Sequence, residues 1–178
     1  MALFRRTPRL PSEDPVPQAA PLTAQEAYKA LLKEHVAPAL RDLGFKGSGR
    51  EFALPSDTHW IQVGLQASTY SSADAVKFTV NLSVVRRDVW QRESSEQQWL
   101  GKKPKANTVS GVQGFQRIGT AMPQKQDHWW TLKPSDDLTA LSVEVAGAIR
   151  DFGIPALMSR VDATSEPFSQ EDPTSRWS

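Results

Sequence analysis

Two stretches of alternating residues, separated by a short polar segment, constrain the fold of this chain more than any other feature. In residues 60–68 and again in residues 76–84, apolar side chains alternate with polar or small ones. A period of two places the apolar residues on one face of a β-sheet and the others on the opposite face. Residues 70–74 suit a hairpin loop, so the sequence predicts two adjacent antiparallel strands.

An amphipathic helix is predicted before these strands. Thr23 and Glu26 have the spacing of a capping box, in which each side chain accepts a hydrogen bond from the other residue's backbone N–H. Apolar residues then recur at helical spacing as far as Leu43. Pro38 lies within this run and predicts a kink, or a division of the helix near Val36.

The remaining segments complete the set of predicted elements. Residues 86–111 contain a short amphipathic helix, and residues 113–118 and 128–132 resemble two more strands. An apolar stripe at helical spacing predicts a last helix that Ser135 caps and Pro155 ends.

This order of elements indicates the fold class. Strands that follow one another between two terminal helices are typical of an α+β fold. We therefore expect an antiparallel sheet of about five strands, with the N- and C-terminal helices packed on one face. The other face of such a sheet is expected to contact solvent.

Composition divides the chain into one domain and two tails. Five prolines among polar residues in 1–22 predict a disordered, proline-rich arm. Residues 23–162 are predicted to form a single α+β domain, and residues 163–178 a second disordered tail.

Charge and cysteine content exclude several classes of function. The chain of 178 residues has 21 Lys and Arg against 20 Asp and Glu, so its net charge of +1 provides little general attraction to nucleic acid or membranes. It has no cysteine, which excludes disulfides, thiolate nucleophiles and cysteine-based zinc sites. No apolar run is long enough to span a membrane. These features predict a cytoplasmic protein without a metal or another cofactor.

Several short motifs resemble those of a family known only as domain of unknown function 4304. They are the Leu43–Phe52 segment after the first helix, the Phe78–Leu82 strand, Arg117–Gly119 and Trp129–Trp130. The resemblance spans roughly residues 27–158. It implies a soluble bacterial α+β domain and transfers no catalytic or binding residue.

Candidate catalytic groups are few. His59 and His128 both lie at predicted strand starts and could approach each other, although general-base or zinc chemistry needs further partners. An enzyme acting on a small or nucleotide-like substrate would use Arg117, His128 and Lys46 near a cleft. The sequence assigns no residue a catalytic role and predicts no metal site.

A local excess of positive charge offers a different function. Residues 86–127 contain eight basic and four acidic residues, together with Trp90, Trp99 and Phe115. Phosphate contacts and stacking of this kind could bind single-stranded nucleic acid. The same charges could instead steer a charged protein partner.

The polar face of the predicted hairpin is the leading binding-site hypothesis. Amides and hydroxyls beside an aromatic ring can recognise a peptide or a small neutral ligand. We therefore predict a non-catalytic binding module with a protein partner, as in an adaptor or immunity protein. The predicted binding residues are Trp60, Gln62, Gln66, Thr79, Asn81 and Arg117.

Overall fold

The computed structural model describes residues 22–165 of the chain. The predicted arm, apart from Leu22, and the predicted tail beyond Ser165 lie outside the described residues.

The first helix begins and divides where the sequence indicates. Helix α1 (Ala24–Ala30) continues through a π-helical segment (Leu31–Val36) into α2 (Ala37–Asp42). The predicted capping box is present: the backbone N–H of Thr23 donates to Glu26 Oε2 at 2.8 Å, and that of Glu26 donates to Thr23 Oγ1 at 3.3 Å.

The last helix contains a π segment in the same position relative to its proline. Helix α4 (Leu138–Ala148) passes through a π segment (Ile149–Gly153) into α5 (Ile154–Ser165). The prediction that Pro155 ends this helix is wrong. Proline lacks an N–H, and its ring crowds the preceding turn. The wider π turn before each proline keeps the helix continuous.

The cap of α4 also differs from the prediction. Asp137 is the N-cap residue, and its Oδ1 accepts from the backbone N–H groups of Thr139 at 2.8 Å and Ala140 at 3.1 Å. Ser135 was expected in this role. An aspartate side chain makes the same bonds and adds a favourable charge at the positive end of the helix dipole.

Six antiparallel strands form one sheet. In spatial order, β1 (Lys46–Ser48), β2 (Glu51–Leu54), β3 (His59–Ala67) and β4 (Val76–Arg86) are neighbours, as the predicted hairpin of β3 and β4 requires. Strands β5 (Gly114–Arg117) and β6 (Trp130–Leu132) pair with different parts of β4. Helix α3 (Arg87–Glu96) follows β4, and 3₁₀ turns occupy Gln98–Leu100 and Ile118–Thr120.

Both terminal helices pack on the apolar face of this sheet and thereby confirm the predicted α+β class. Leu31 and Val36 of the first helix, and Val145 and Ile149 of the last, share one core with the strands. Six residues of β3 and β4 in this core are nearly inaccessible to solvent: Val63, Leu65, Phe78, Val80, Leu82 and Val84.

The opposite face is covered, which corrects the expectation that it contacts solvent. Residues 101–113, here called the strap, cross this face between α3 and β5. Thr79, Asn81 and Ser83 have 0% exposed surface, and Gln62 has 8%. The strap has no helical or strand periodicity, so the sequence pattern gave no reason to place it on the sheet.

Candidate functional site

Three side-chain amides on the covered face lie close together, and two of them hold the strap. In the β3–β4 register Gln62 pairs with Ser83 and Gln66 with Thr79, so these side chains share one face. Asn81 Nδ2 donates to Gln66 Oε1 at 2.8 Å, and Gln62 Nε2 donates to the backbone oxygen of Pro104 at 2.9 Å. We call Gln62, Gln66 and Asn81 the amide floor.

The strap contributes its own polar groups to these contacts. Asn81 Nδ2 also donates to Asn107 Oδ1 at 3.0 Å. At the far end of the strap, Gln113 Nε2 donates to Ser83 Oγ at 2.9 Å. The contact is therefore largely a set of hydrogen bonds between amides and hydroxyls.

Two buried amide oxygens on the floor have no protein partner. Gln62 Oε1 and Asn81 Oδ1 are inaccessible to solvent and accept no hydrogen bond. The strap thus provides acceptors for the amide N–H groups of the floor but leaves these two floor acceptors unsatisfied.

Gly64 makes the close approach of the strap possible, and sequence reasoning missed this role. A Cβ atom at position 64 would overlap Asn107 Oδ1 and would lie 2.9 Å from the Cβ of Ala106. Glycine in the middle of a strand often marks such an approach of another chain segment. This glycine was the available sequence signal for a covered face.

The other predicted binding residues have partners within the chain. Thr79 Oγ1 donates to the backbone oxygen of His128 at 2.8 Å. Arg117 forms a 2.6 Å ion pair with Asp127 and lies 4.9 Å from the centre of the Trp129 ring.

Trp60 lies at the edge of the covered face and is half-buried. The Arg87 guanidinium stacks 3.8 Å from the centre of its ring, and Lys103 Nζ lies 5.9 Å from that centre. Both distances are within the range of cation–π interactions. Trp60 thus contacts the strap and the basic region at once.

A pocket of about 450 Å³ lies between α3 and the strap. We call it the Trp–Lys pocket because its lining combines two tryptophans with three lysines and contains no acidic residue. The lining residues are Trp90, Trp99, Leu100, Gly101, Lys102, Lys103, Lys105, Thr108, Ser110 and Gln113.

The two tryptophans of this pocket have different roles. Trp90 is buried, and its indole N–H donates to the backbone oxygen of Gly101 at 3.3 Å. Trp99 leaves 68% of its surface exposed, and Val109 on the strap leaves 64%. Trp90 therefore fixes the wall of the pocket, whereas Trp99 offers an apolar surface to a ligand.

The lysines of the pocket are available to an anion. Lys102, Lys103 and Lys105 are exposed, and none forms an ion pair with a described residue. Pro104 and Ala106 between and beside them are buried against the sheet. This alternation directs the ammonium groups away from the sheet.

A larger groove of about 520 Å³ follows α5 and has a different lining. Its carboxylate, Asp151, is ion-paired with Arg150 at 2.7 Å, and the side chain of Arg160 packs close to Gly114. Its carboxylate is thus already paired within the protein.

The two histidines and Lys46 lie apart, whereas Arg117 is ion-paired with Asp127 and thus lies near His128. His59 pairs with Arg86 at one end of β4, whereas His128 contacts Thr79, seven residues away along that strand. Lys46 is on the edge strand β1, and Arg117 is on β5 beyond the other side of the central hairpin. The expected approach of the two histidines, and a shared cleft for Lys46, Arg117 and His128, are therefore wrong.

His59 is buried between the sheet and the last helix. Its Nδ1 lies 2.9 Å from Thr58 Oγ1, and its Nε2 lies 3.1 Å from Thr164 Oγ1 on α5. Burial, helped by the nearby Arg86 charge, lowers the pKa of His59, although Asp88 acts in the opposite direction. His59 is therefore a neutral link between the sheet and α5. Within residues 22–165, no group of three or more His, Asp or Glu side chains could hold a metal ion.

The fold and this site define a class: an α+β domain with terminal helices on one sheet face and a polar strap on the other. The family model described as "Domain of unknown function (DUF4304)" matches residues 36–159, and the chain belongs to this family. This confirms the resemblance found in the sequence motifs. Comparison with the curated proteins and with the solved structures gave no match. None of the described helices is long and apolar enough to cross a membrane.

Proposed function

We propose that this chain is a non-catalytic binding module of a bacterial cytoplasmic protein. Its partner is another protein, which places an acidic segment with an apolar side chain in the Trp–Lys pocket. The single observation that carries the proposal is the exposed Trp99 beside three unpaired lysines. Exposed aromatic residues often dominate the energy of protein interfaces, and surrounding charges steer association.

The surroundings of Trp99 favour a protein over single-stranded nucleic acid. Leu100 and Val109 are aliphatic neighbours of the pocket, and Val109 is largely exposed. Aliphatic side chains pack well against an apolar protein side chain but provide no flat surface for a base. The lysines also form a compact group within residues 102–105. A protein that binds a nucleic-acid backbone usually has a longer row of basic residues along the phosphates.

The predicted hairpin residues contribute differently from what the sequence suggested. Trp60 supports this surface because its ring lies close to Lys103. Gln62 and Asn81 support it from below by holding the strap, and Gln66 accepts a hydrogen bond from Asn81. Thr79 instead holds the segment before β6 through His128. Arg117 is on β5 and is paired with Asp127.

A binding titration with defined probes tests the proposal. The probes are a capped peptide of alternating Glu and Leu, the same peptide with Gln for Glu, and a short oligothymidine. We expect the Glu–Leu peptide to bind best. Trp99→Ala should weaken it by about 2 kcal/mol, roughly 30-fold. Replacing all three lysines by Gln should mainly slow association and remove the salt dependence.

Matched variants away from the pocket serve as controls. Tyr70 is 92% exposed, so Tyr70→Ala removes another exposed aromatic ring. Lys33→Gln removes another exposed lysine. Neither should change peptide affinity. If oligothymidine binds more tightly than the peptide and depends on Trp99, the partner is nucleic acid and the proposal is wrong. Equal loss in Trp99→Ala and Tyr70→Ala would exclude the pocket.

A further inference from the structure

We infer that the strap is a removable cover over a second, hidden part of the binding site, the amide floor. This inference rests on the proposed function and specifies its ligand: the acidic segment binds as an extended peptide. One side chain packs on Trp90 and Trp99, which lie outside the strap, while the peptide backbone takes the place of Pro104 and Asn107 on Gln62 and Asn81. The strap lysines move with the strap and pair with the carboxylates of the peptide.

The strap contacts the floor through groups that any peptide has. The strap offers a backbone carbonyl to Gln62 and a side-chain carbonyl to Asn81. These are the groups that an extended peptide offers, since each of its residues has a carbonyl and, proline excepted, an N–H. The strap therefore contacts the floor as a peptide ligand would.

The strap satisfies the amide donors of Gln62 and Asn81 but not their acceptors. Gln62 Oε1 and Asn81 Oδ1 are buried without a donor. A buried acceptor without a partner is unfavourable, and a bound peptide can supply N–H groups that the strap does not direct to these atoms. The floor is thus better suited to a ligand with both donors and acceptors than to its present cover.

The strap is attached to the rest of the domain through glycines and small buried residues. Gly101 begins it with a φ of 70°, which glycine adopts without strain, and neither Gly101 nor Gly111 has neighbouring atoms around its Cβ position. Between them, the buried strap residues are small: Pro104, Ala106 and Ser110. Few apolar atoms therefore oppose its release, and segments of this kind open locally at low free energy.

The Asn81–Asn107 hydrogen bond holds the middle of the strap. The direction in which Asn107→Ala changes peptide affinity therefore shows whether the strap competes with the ligand. If the closed strap competes with the ligand, weakening it raises the fraction of open protein and lowers the apparent Kd. We expect Asn107→Ala to bind the Glu–Leu peptide on the order of tenfold more tightly. If the strap is only a fixed wall of the pocket, the same change weakens binding.

Thiol labelling measures opening without any ligand. The chain has no cysteine, so a single one introduced at a buried position reports its own accessibility. Ser83→Cys lies under the strap, and Val84→Cys lies next to it in sequence but in the helix-covered core. We expect Ser83→Cys to be labelled at least about tenfold faster than Val84→Cys, and faster still when Asn107→Ala is added.

Gly111→Ala is the matched control within the strap. It adds a methyl group in open space and breaks no contact with the floor, so it should change neither labelling nor affinity.

The outcomes separate this inference from the proposed function. Tighter peptide binding by Asn107→Ala with faster labelling of Ser83→Cys supports the cover. Weaker or unchanged binding by Asn107→Ala, while the wild type binds through Trp99, overturns the cover and keeps the pocket. Equal labelling of Ser83→Cys and Val84→Cys also overturns the cover. Absence of peptide binding in both wild type and Asn107→Ala overturns both proposals.

Discussion

The two faces of the sheet are both covered, but by different kinds of interaction. On one face, aliphatic and aromatic side chains of the strands pack against the terminal helices in a continuous core. On the other, the strap lies on amides and hydroxyls and is held by hydrogen bonds. Apolar burial contributes about 25 cal/mol per Å², whereas a single intramolecular hydrogen bond contributes about 0.5–1.5 kcal/mol net. The helix-covered face should therefore determine global stability, and the strap-covered face should determine local opening.

This difference also separates folding from function within one strand. Along β4, Phe78 and Val84 belong to the core, while Asn81 and Ser83 contact the strap. Because neighbouring residues of a strand point to opposite faces, single substitutions along β4 can address each layer separately.

The largest expected effect is in the apolar layer. Phe78 has no exposed surface and lies between Tyr28 and Trp130, with ring centres 5.1 Å and 5.7 Å away. Phe78→Ala should lower the free energy of unfolding by about 3–5 kcal/mol because it removes a large side chain and leaves a cavity. Chemical denaturation measures this value. A loss below about 1 kcal/mol would mean that the helix-covered face is not the main core.

A smaller loss is expected directly across the sheet. Asn81→Ala removes the donor shared by Gln66 and Asn107 and leaves two carbonyl oxygens without it. We expect a loss of about 1–3 kcal/mol in chemical denaturation. On a solvent-exposed face the same change would cost less than about 1 kcal/mol, so a near-zero effect would show that the strap does not seal this face.

Overpacking of the strap should produce a still smaller and more local change. Gly64→Ala adds a methyl group where Asn107 and Ala106 approach β3. The strap can move away, so we expect a loss of about 1 kcal/mol, at the lower end of the range for overpacked sites. Hydrogen exchange should accelerate mainly in residues 101–113. Uniform acceleration across α1 and β4 would contradict the separation of the two layers.

Periodicity explains what the sequence could predict. The β3–β4 hairpin, the first capping box and the packing of both terminal helices follow from local patterns, since a core face repeats every two or every 3.6 residues. The predicted polar side chains of the hairpin also lie together, as strand register requires. Trp90 and Trp99 were identified in a basic segment, and the structure places both in one pocket with the lysines.

The errors arise where no period exists or where two residue types compete. The strap is positioned by individual contacts such as Asn107 on Asn81, which are distant in sequence and leave only Gly64 as a sign. Pro155 suggested a helix end because a proline removes one hydrogen bond, yet the π turn before it preserves the helix. Neither outcome is encoded in the hydrophobic pattern.

His59 is buried at the edge of the helix-covered face, against Thr164 of α5. Thr164 Oγ1 lies 2.8 Å from the backbone oxygen of Arg160 and can donate its proton there, so it can accept from His59 Nε2–H. The pKa of His59 is lowered in the folded protein, chiefly by burial. Below the ordinary histidine pKa of about 6.5, the unfolded chain therefore binds more protons than the folded one.

Acid should thus destabilise the domain through His59, and the effect has a defined sign and limit. As pH falls below about 6.5, the free energy of unfolding should decrease by at most about 1.4 kcal/mol per pH unit from this group, until the lowered folded-state pKa is passed. In His59→Gln the imidazole is replaced by an amide, which can still hydrogen-bond but does not titrate, so the stability of this variant should fall less steeply between pH 7 and pH 5. If His59→Gln has the wild-type slope as well, His59 titrates alike in the folded and unfolded chain. The edge of the helix-covered face would then expose His59 to solvent by local opening, as is expected for the strap-covered face.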